Sequence, residues 1–319
     1  MKAAIIGAGL IGRAWAMVFA RGGWSVSLFD PVDGAAANAL SACEAGLSTL
    51  AAHGLCDDPA AAFARISAAP SLAAALDGAA HVQENGPEVL ATKQAIFAEL
   101  DALAEPETVL ASSTSALQCS LFTEGLAGRA RCLVAHPVNP PHLVPVVELS
   151  GAPWTDPAVV ARTRAMFEAL GQKPVTVKKE VDGFILNRLQ AVLLVEALRL
   201  VGEGYVSAED LDATVAEGLG LRWSFIGPLQ VGELNAPAGL ADYLTRYGPF
   251  FARVAAGFDG KAALNPDNID RCIEAWGAAP SADAVAEMSR WRDARLAALA
   301  AHKRAAAPFA PAPASSADT

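Results

Sequence analysis

The sequence predicts an α/β protein: an N-terminal Rossmann-type, doubly wound and mainly parallel sheet, followed by an all-helical C-terminal domain. Three observations carry this expectation. Over the first 180 or so residues, short β-rich runs alternate with amphipathic, alanine-rich helical patterns, which implies a largely parallel sheet covered on both faces. A glycine turn, GAGLIG, directly follows the first run. After Gly183 the strand patterns stop and only helical periodicity continues.

Taken in order, the strand-like runs are AAII, VSLF, AHVQ, TVLA, CLVA, VPVVEL and VTV, with a helix expected over residues 90–104. Helical patterns then cover segments near 184–202, 207–217, 237–256, 265–277 and 281–303. The expected division is a dinucleotide-binding domain over 1–184, a helical substrate and dimerisation domain over 185–304, and a tail over 305–319. The tail, rich in proline, alanine and serine, reads as disordered.

Composition narrows the partners. A chain of 319 residues has room for two domains and an ample core. The net charge of −10 argues against nucleic acid and membrane surfaces, so an anionic substrate needs a local cationic pocket. Cys43, Cys56, Cys119, Cys132 and Cys272 are scattered without a CxxC pair, which fits reduced thiols rather than disulfides or a metal centre. Gly7, Gly9, Gly12 and Arg13 interrupt the first apolar run, so it does not read as a signal peptide. The apolar stretch from Phe184 to Val201 holds Arg188, Glu196 and Arg199 and reads as a core helix, not a membrane span. The expected location is cytoplasmic.

The glycine turn carries the first chemistry. Gly7 permits the turn, Gly9 lets a pyrophosphate approach the backbone, and Gly12 allows helix to pack closely on sheet. The helix that follows offers its N-terminal N–H groups to the phosphates. Asp30 closes the next strand, eighteen residues beyond Gly12, where its carboxylate accepts ribose hydroxyls and repels a 2′-phosphate. No arginine follows it, and the expected cofactor is NAD.

A second constellation lies in AHPVNPPHLVPVVEL, residues 135–149. His136 ends one apolar run at a proline turn, and Glu148 ends the next, where a lone carboxylate is costly unless paired. A hairpin here brings Glu148 beside the imidazole, fixing its tautomer and strengthening it as a general base. The segment also fits a hairpin with a core histidine and a salt-bridged glutamate. His142, six residues on, is the rival base, although its place between Pro141 and Leu143 favours a surface role.

These segments, together with SSTSAL, KEVDGFILNRLQ and EGLGLRWSFIGPL, resemble the 3-hydroxyacyl-CoA dehydrogenase superfamily, most closely its lambda-crystallin branch of L-gulonate 3-dehydrogenases. The resemblance implies that His136 is the base, Glu148 its partner, and Ser115 and Asn187 the contacts to the substrate oxygen. It implies that Leu10, Ile11 and Asp30 touch the pyrophosphate and ribose of NAD, that Glu88 and Lys93 line the nicotinamide side, and that Asn139 is a further cofactor contact. From the residues alone, Ser115 and Asn187 also fit local backbone caps, Lys93 a solvated helix face, and Glu88 a first-turn residue.

The substrate follows from charge. Acyl-CoA members of the superfamily hold the CoA phosphates with basic residues on a helical excursion of the first domain. Here no lysine occurs between Lys2 and Lys93, and Arg65 is the one arginine between Arg21 and Lys93. Arg222, in GLGLRWSFIGP, offers bidentate pairing to a substrate carboxylate, or else an internal pair with Glu217. The expected substrate is a small free 3-hydroxy acid, L-gulonate first. The alternatives are L-carnitine, with Trp223 and Tyr243 as aromatic contacts to its cation, a 3-hydroxybutyryl-CoA-type thioester, and a structural NAD-binding protein without turnover.

Overall fold

The structure, a computed structural model, describes residues 1–306. Eight strands form one sheet: β1 (Lys2–Ile6), β2 (Ser25–Phe29), β3 (Ile66–Ala68), β4 (His81–Glu84), β5 (Val109–Ser112), β6 (Cys132–Pro137), β7 (Val146–Gly151) and β8 (Lys173–Val177). Their order is β3-β2-β1-β4-β5-β6-β7-β8. Every pair is parallel except β6 with β7, which form the expected hairpin. Seven strands coincide with the apolar runs of the sequence. The eighth, β3, is three residues long at a sheet edge, too short to show a pattern.

Strand alternation sends successive side chains to opposite faces. Ala3 and Ile5 join one buried cluster with Trp15, Phe19, Leu47 and Phe167. Ala4 and Ile6 join the other, with Leu76, Phe97, Leu100 and Phe122. Helices Leu10–Arg21, Ala35–Ala52 and Pro157–Ala169 supply the first cluster, and Leu90–Leu103 supplies much of the second.

The described residues divide into two compact units, one made of Met1–Leu186 with 283–306, the other of Asn187–Ala282. The last helix, Ala282–Ala305, therefore departs from the expected division. Ala297 is fully buried in the cluster that holds Trp15, and Arg304 donates to the Gly54 carbonyl at 3.2 Å. Periodicity reports that a helix has an apolar face, not which core receives it. Residues 305 and 306 are described, and the rest of the expected tail lies outside the described residues.

The second unit is helical throughout, as expected. Asn268, 2 % exposed, ties its helices by donating to the carbonyls of Leu198 and Ala263. Among the described residues, no helix is long and apolar enough to cross a membrane.

Candidate active site

The carboxyl ends of the parallel strands meet at the glycine turn. Gly7 has φ +95°, and a Cβ there would lie 2.8 Å from the Asn85 carbonyl oxygen. A Cβ on Gly12 would lie 1.8 Å from the Gly7 oxygen, so the helix Leu10–Arg21 can sit this close only without a side chain. Gly9 is different: a Cβ there meets nothing within 4 Å. Two glycines thus serve packing, and the third keeps open space beside the helix N-terminus. Leu10 is 70 % exposed there, whereas Ile11 packs against the core. Asp30 follows β2 and reaches back to the turn, its Oδ2 accepting from the Ala8 N–H at 2.7 Å and its Oδ1 from Val32 at 2.9 Å. These residues fit NAD: open backbone for the pyrophosphate and a part-exposed carboxylate for the ribose.

Behind the turn, β4 carries polar side chains through an apolar core. Ser113 Oγ accepts from Trp15 Nε1 (3.0 Å) and Gln83 Nε2 (2.7 Å) and donates to Asn85 Oδ1 (2.7 Å), which satisfies the hydroxyl completely. Gln83 Nε2 also donates to the carbonyl of Ala135, the residue before His136, at 3.1 Å. The network fixes the loops after β4 and β5 relative to β6.

Lys93 departs from the expected place on the nicotinamide side. It is fully buried, its ammonium 2.9 Å from both oxygens of Glu84, which also accepts from Ser112 Oγ and the Gly86 N–H. With no exposed surface, it holds the loop after β4 in place rather than facing a ligand. Nor is it solvated, because its helix turns that face toward the sheet. Glu88, on the same loop, clasps the loop after β5: its Oε2 accepts from Thr114 Oγ1 at 2.7 Å, and its Oε1 from the N–H of Ser115 at 2.7 Å and its hydroxyl at 3.3 Å.

His136 and Glu148 stand opposite each other in the β6–β7 ladder, with Nδ1 and Oε2 2.9 Å apart. They are 5 % and 1 % exposed. Glu148 Oε1 accepts from the N–H groups of Ile185 (2.8 Å) and Leu186 (3.0 Å). Burial alone pushes this carboxyl up, but the bond to His136 and the two backbone donors outweigh it and hold Glu148 below its usual value. An ionised Glu148 accepts at Nδ1, so the imidazole proton resides there and Nε2 carries the free lone pair. The phenyl ring of Phe184 lies against the imidazole, centroids 5.3 Å apart.

His142 is half-buried rather than on the surface. Burial first, then the Arg21 guanidinium, pushes its imidazole down to about 4 against the opposing pull of Asp293. Asn139 is exposed in the turn between β6 and β7. Asn187 and Arg222 belong to the second unit, Asn187 in the helix Leu186–Gly202 and Arg222 exposed in Leu221–Trp223. Among the described residues Arg222 forms no ion pair with Glu217. The sequence reading missed Phe184, Gln83, Glu84, Asn85 and Ser113. The run of polar residues QEN inside an apolar strand was the available signal for three of them.

A dinucleotide turn with its carboxylate, beside a buried imidazole–carboxylate pair, defines an NAD-dependent oxidoreductase acting on CH–OH groups. Residues 2–181 match the NAD binding domain of 3-hydroxyacyl-CoA dehydrogenase and residues 183–257 its C-terminal domain. The chain belongs to the 3-hydroxyacyl-CoA dehydrogenase family. It is 42% identical over 305 residues to lambda-crystallin of Oryctolagus cuniculus, covering 94% of this chain and 95% of that protein. It is 36% identical over 294 residues to L-carnitine dehydrogenase of Streptomyces coelicolor, covering 91% and 92%. Among solved structures it resembles 5-formyl-3-hydroxy-2-methylpyridine 4-carboxylic acid 5-dehydrogenase, an NAD+ dependent dismutase, with TM-score 0.84, 27% identity and coverage of 96% and 99%.

Proposed function

We propose that this enzyme oxidises the 3-hydroxyl of a small free hydroxy acid, with L-gulonate the leading substrate. The observation that carries the reading is the buried His136–Glu148 pair at 2.9 Å in a chain that binds NAD. Bound NAD supplies the hydride acceptor. His136 Nε2 takes the hydroxyl proton, and Glu148 compensates the imidazolium that forms. Ser115 Oγ, which donates to Glu88 Oε1 at 3.3 Å, serves the substrate oxygen together with Asn187. Arg222 receives the substrate carboxylate. Leu10, Ile11, Asp30, Glu88 and Asn139 serve NAD, and Lys93 supports them from within.

Charge favours the free acid over a CoA thioester. The helix Ala35–Ala52 carries no basic residue, and Arg65 spends one guanidinium N–H on the Ala61 carbonyl at 2.8 Å. An adenosine 3′-phosphate would find little there to pair with. Against a trimethylammonium, Tyr243 packs on Tyr247 and Phe251 of its own helix, at 4.9 and 5.8 Å between centroids, as a stripe rather than a cage.

The reading includes a homodimer formed through the second unit and a cytoplasmic location. Helix Leu186–Gly202 buries none of its residues, and Leu189, Leu194, Phe225 and Phe250 are each half exposed or more, a surface that a second copy would cover. Five buried free cysteines suit a reducing compartment.

NAD reduction measured with L-gulonate, 3-hydroxybutyrate, L-carnitine and 3-hydroxybutyryl-CoA tests the substrate. Preference for L-gulonate is expected. Preference for the thioester or for L-carnitine replaces the reading, and no turnover with any of them returns the chain to a binding role.

A further inference from the structure

We propose that Phe184 is a positioning residue for the His136–Glu148 pair, acting twice: its left-handed backbone turns the next two N–H groups onto Glu148, and its ring sets the plane of the imidazole.

Phe184 has φ +49° and is the one non-glycine residue with positive φ among the described residues. For a bulky side chain that region is strained, and such strain persists where the surroundings over-determine it. They do so here. Gly183, at φ +74°, and the bond from the Phe184 N–H to the Val181 carbonyl at 3.1 Å close a tight turn. The ring is 1 % exposed, in the cluster with Val134 and Ala152. Glycine takes this conformation without strain, so an aromatic side chain stands where the backbone disfavours one. What it gains is contact with His136, at 5.3 Å between centroids and 32° between planes.

The backbone consequence falls on the next two residues. Ile185 and Leu186 aim their N–H groups at the same oxygen, Glu148 Oε1, at 2.8 and 3.0 Å. That oxygen is fully engaged, and Oε2 alone is left for His136 Nδ1, at 2.9 Å. The carboxylate is pinned on one side by the turn and the imidazole on the other by the ring. His136 is the one titratable group acting on Glu148, so against the upward push of burial the turn supplies the other hold on that carboxylate.

The inference rests on His136 being the base, and its test keeps the two apart. In the full-length protein, Phe184→Val places a β-branched residue where φ +49° is a severe outlier, so the turn relaxes and the N–H groups leave Glu148. Losing two donors raises the proton affinity of the coupled pair. The acid limb of kcat/KM should therefore move to higher pH by roughly one unit, while KM for NAD stays within about twofold. Phe184→Gly keeps the turn and loses the ring. It should leave the acid limb in place and lower kcat by about tenfold through misorientation alone. The low-field proton NMR signal of His136 Nδ1–H, titrated without substrate, should follow the same two patterns. If both variants keep the wild-type acid limb, kcat and NMR titration, Phe184 has no positioning role. A Phe184→Val chain that does not fold leaves Phe184→Gly to decide, with unchanged kcat and unchanged imidazole signals as the overturning result. Turnover retained by His136→Ala would instead overturn the base assignment.

Discussion

Lys93 meets Glu84 at 2.9 Å with neither side chain more than 1 % exposed. A pair sealed this way contributes little beyond an apolar substitute, but breaking it strands a charge. Glu84 also receives the Gly86 N–H and the Ser112 hydroxyl, so it anchors the loops after both β4 and β5. Lys93→Met should destabilise the protein by about 3–5 kcal/mol, read from urea denaturation. Stability unchanged by the substitution would mean that water reaches Glu84.

The glycine turn separates binding from folding. Gly9→Ala places its methyl in open space, so the denaturation midpoint should hold while KM for NAD rises by about tenfold or more. Gly12→Ala puts a Cβ 1.8 Å from the Gly7 oxygen and should cost both stability and NAD binding. Calorimetry with NAD, run beside thermal melts, distinguishes these outcomes. Equal effects of the two substitutions would contradict the assignment of Gly9 to the cofactor.

Glu148 is held below its usual carboxyl value of 4.5. A depressed folded-state value stabilises the fold above the unfolded value, and that contribution is lost as pH falls through the folded one. Glu148→Gln removes both this dependence and the ionised partner of His136. Its kcat should fall by about a hundredfold or more, and its stability should decline less steeply below pH 4.5 than that of the wild type. A variant with wild-type kcat would show that the imidazole needs no carboxylate.

His81 gives a second acid-sensitive element, far less connected to chemistry. Burial pushes its imidazole down to about 4 from 6.5, opposed by the bond to Gln83. Between those values the unfolded chain binds a proton that the native chain does not, so stability falls as pH falls through this window. His81→Gln should make stability decline less steeply between pH 6.5 and 4, with His142, also pushed down to about 4, keeping part of the slope. A slope equal to the wild type's would shift the acid sensitivity elsewhere.

Much of the frame was legible because it rests on local patterns. GAGLIG with Asp30, and the two apolar runs around NPPH, specify turns and register within short stretches of chain. The places where the sequence was silent depend on distant partners. Lys93 looks like any lysine on a helix until the sheet behind it proves to carry Glu84. The final helix shows an apolar face, but only the fold reveals that Ala297 enters the first unit's core. Phe184 reads as one more apolar residue, since a backbone dihedral leaves no mark on composition.

The β6–β7 ladder makes register a chemical variable. His136 faces Glu148 because the strands run antiparallel with these residues in direct opposition. Side chains alternate faces with a period of two, so a slip of one residue would carry Glu148 to the opposite face of the sheet and leave the imidazole against Leu149 or Val147. A slip of two would restore the face but not the partner. The connection over 138–145 therefore behaves as a measured spacer rather than a free surface loop. Asn139 apart, which the proposed reading gives to NAD, it is the length of this connection that is tied to the proton path.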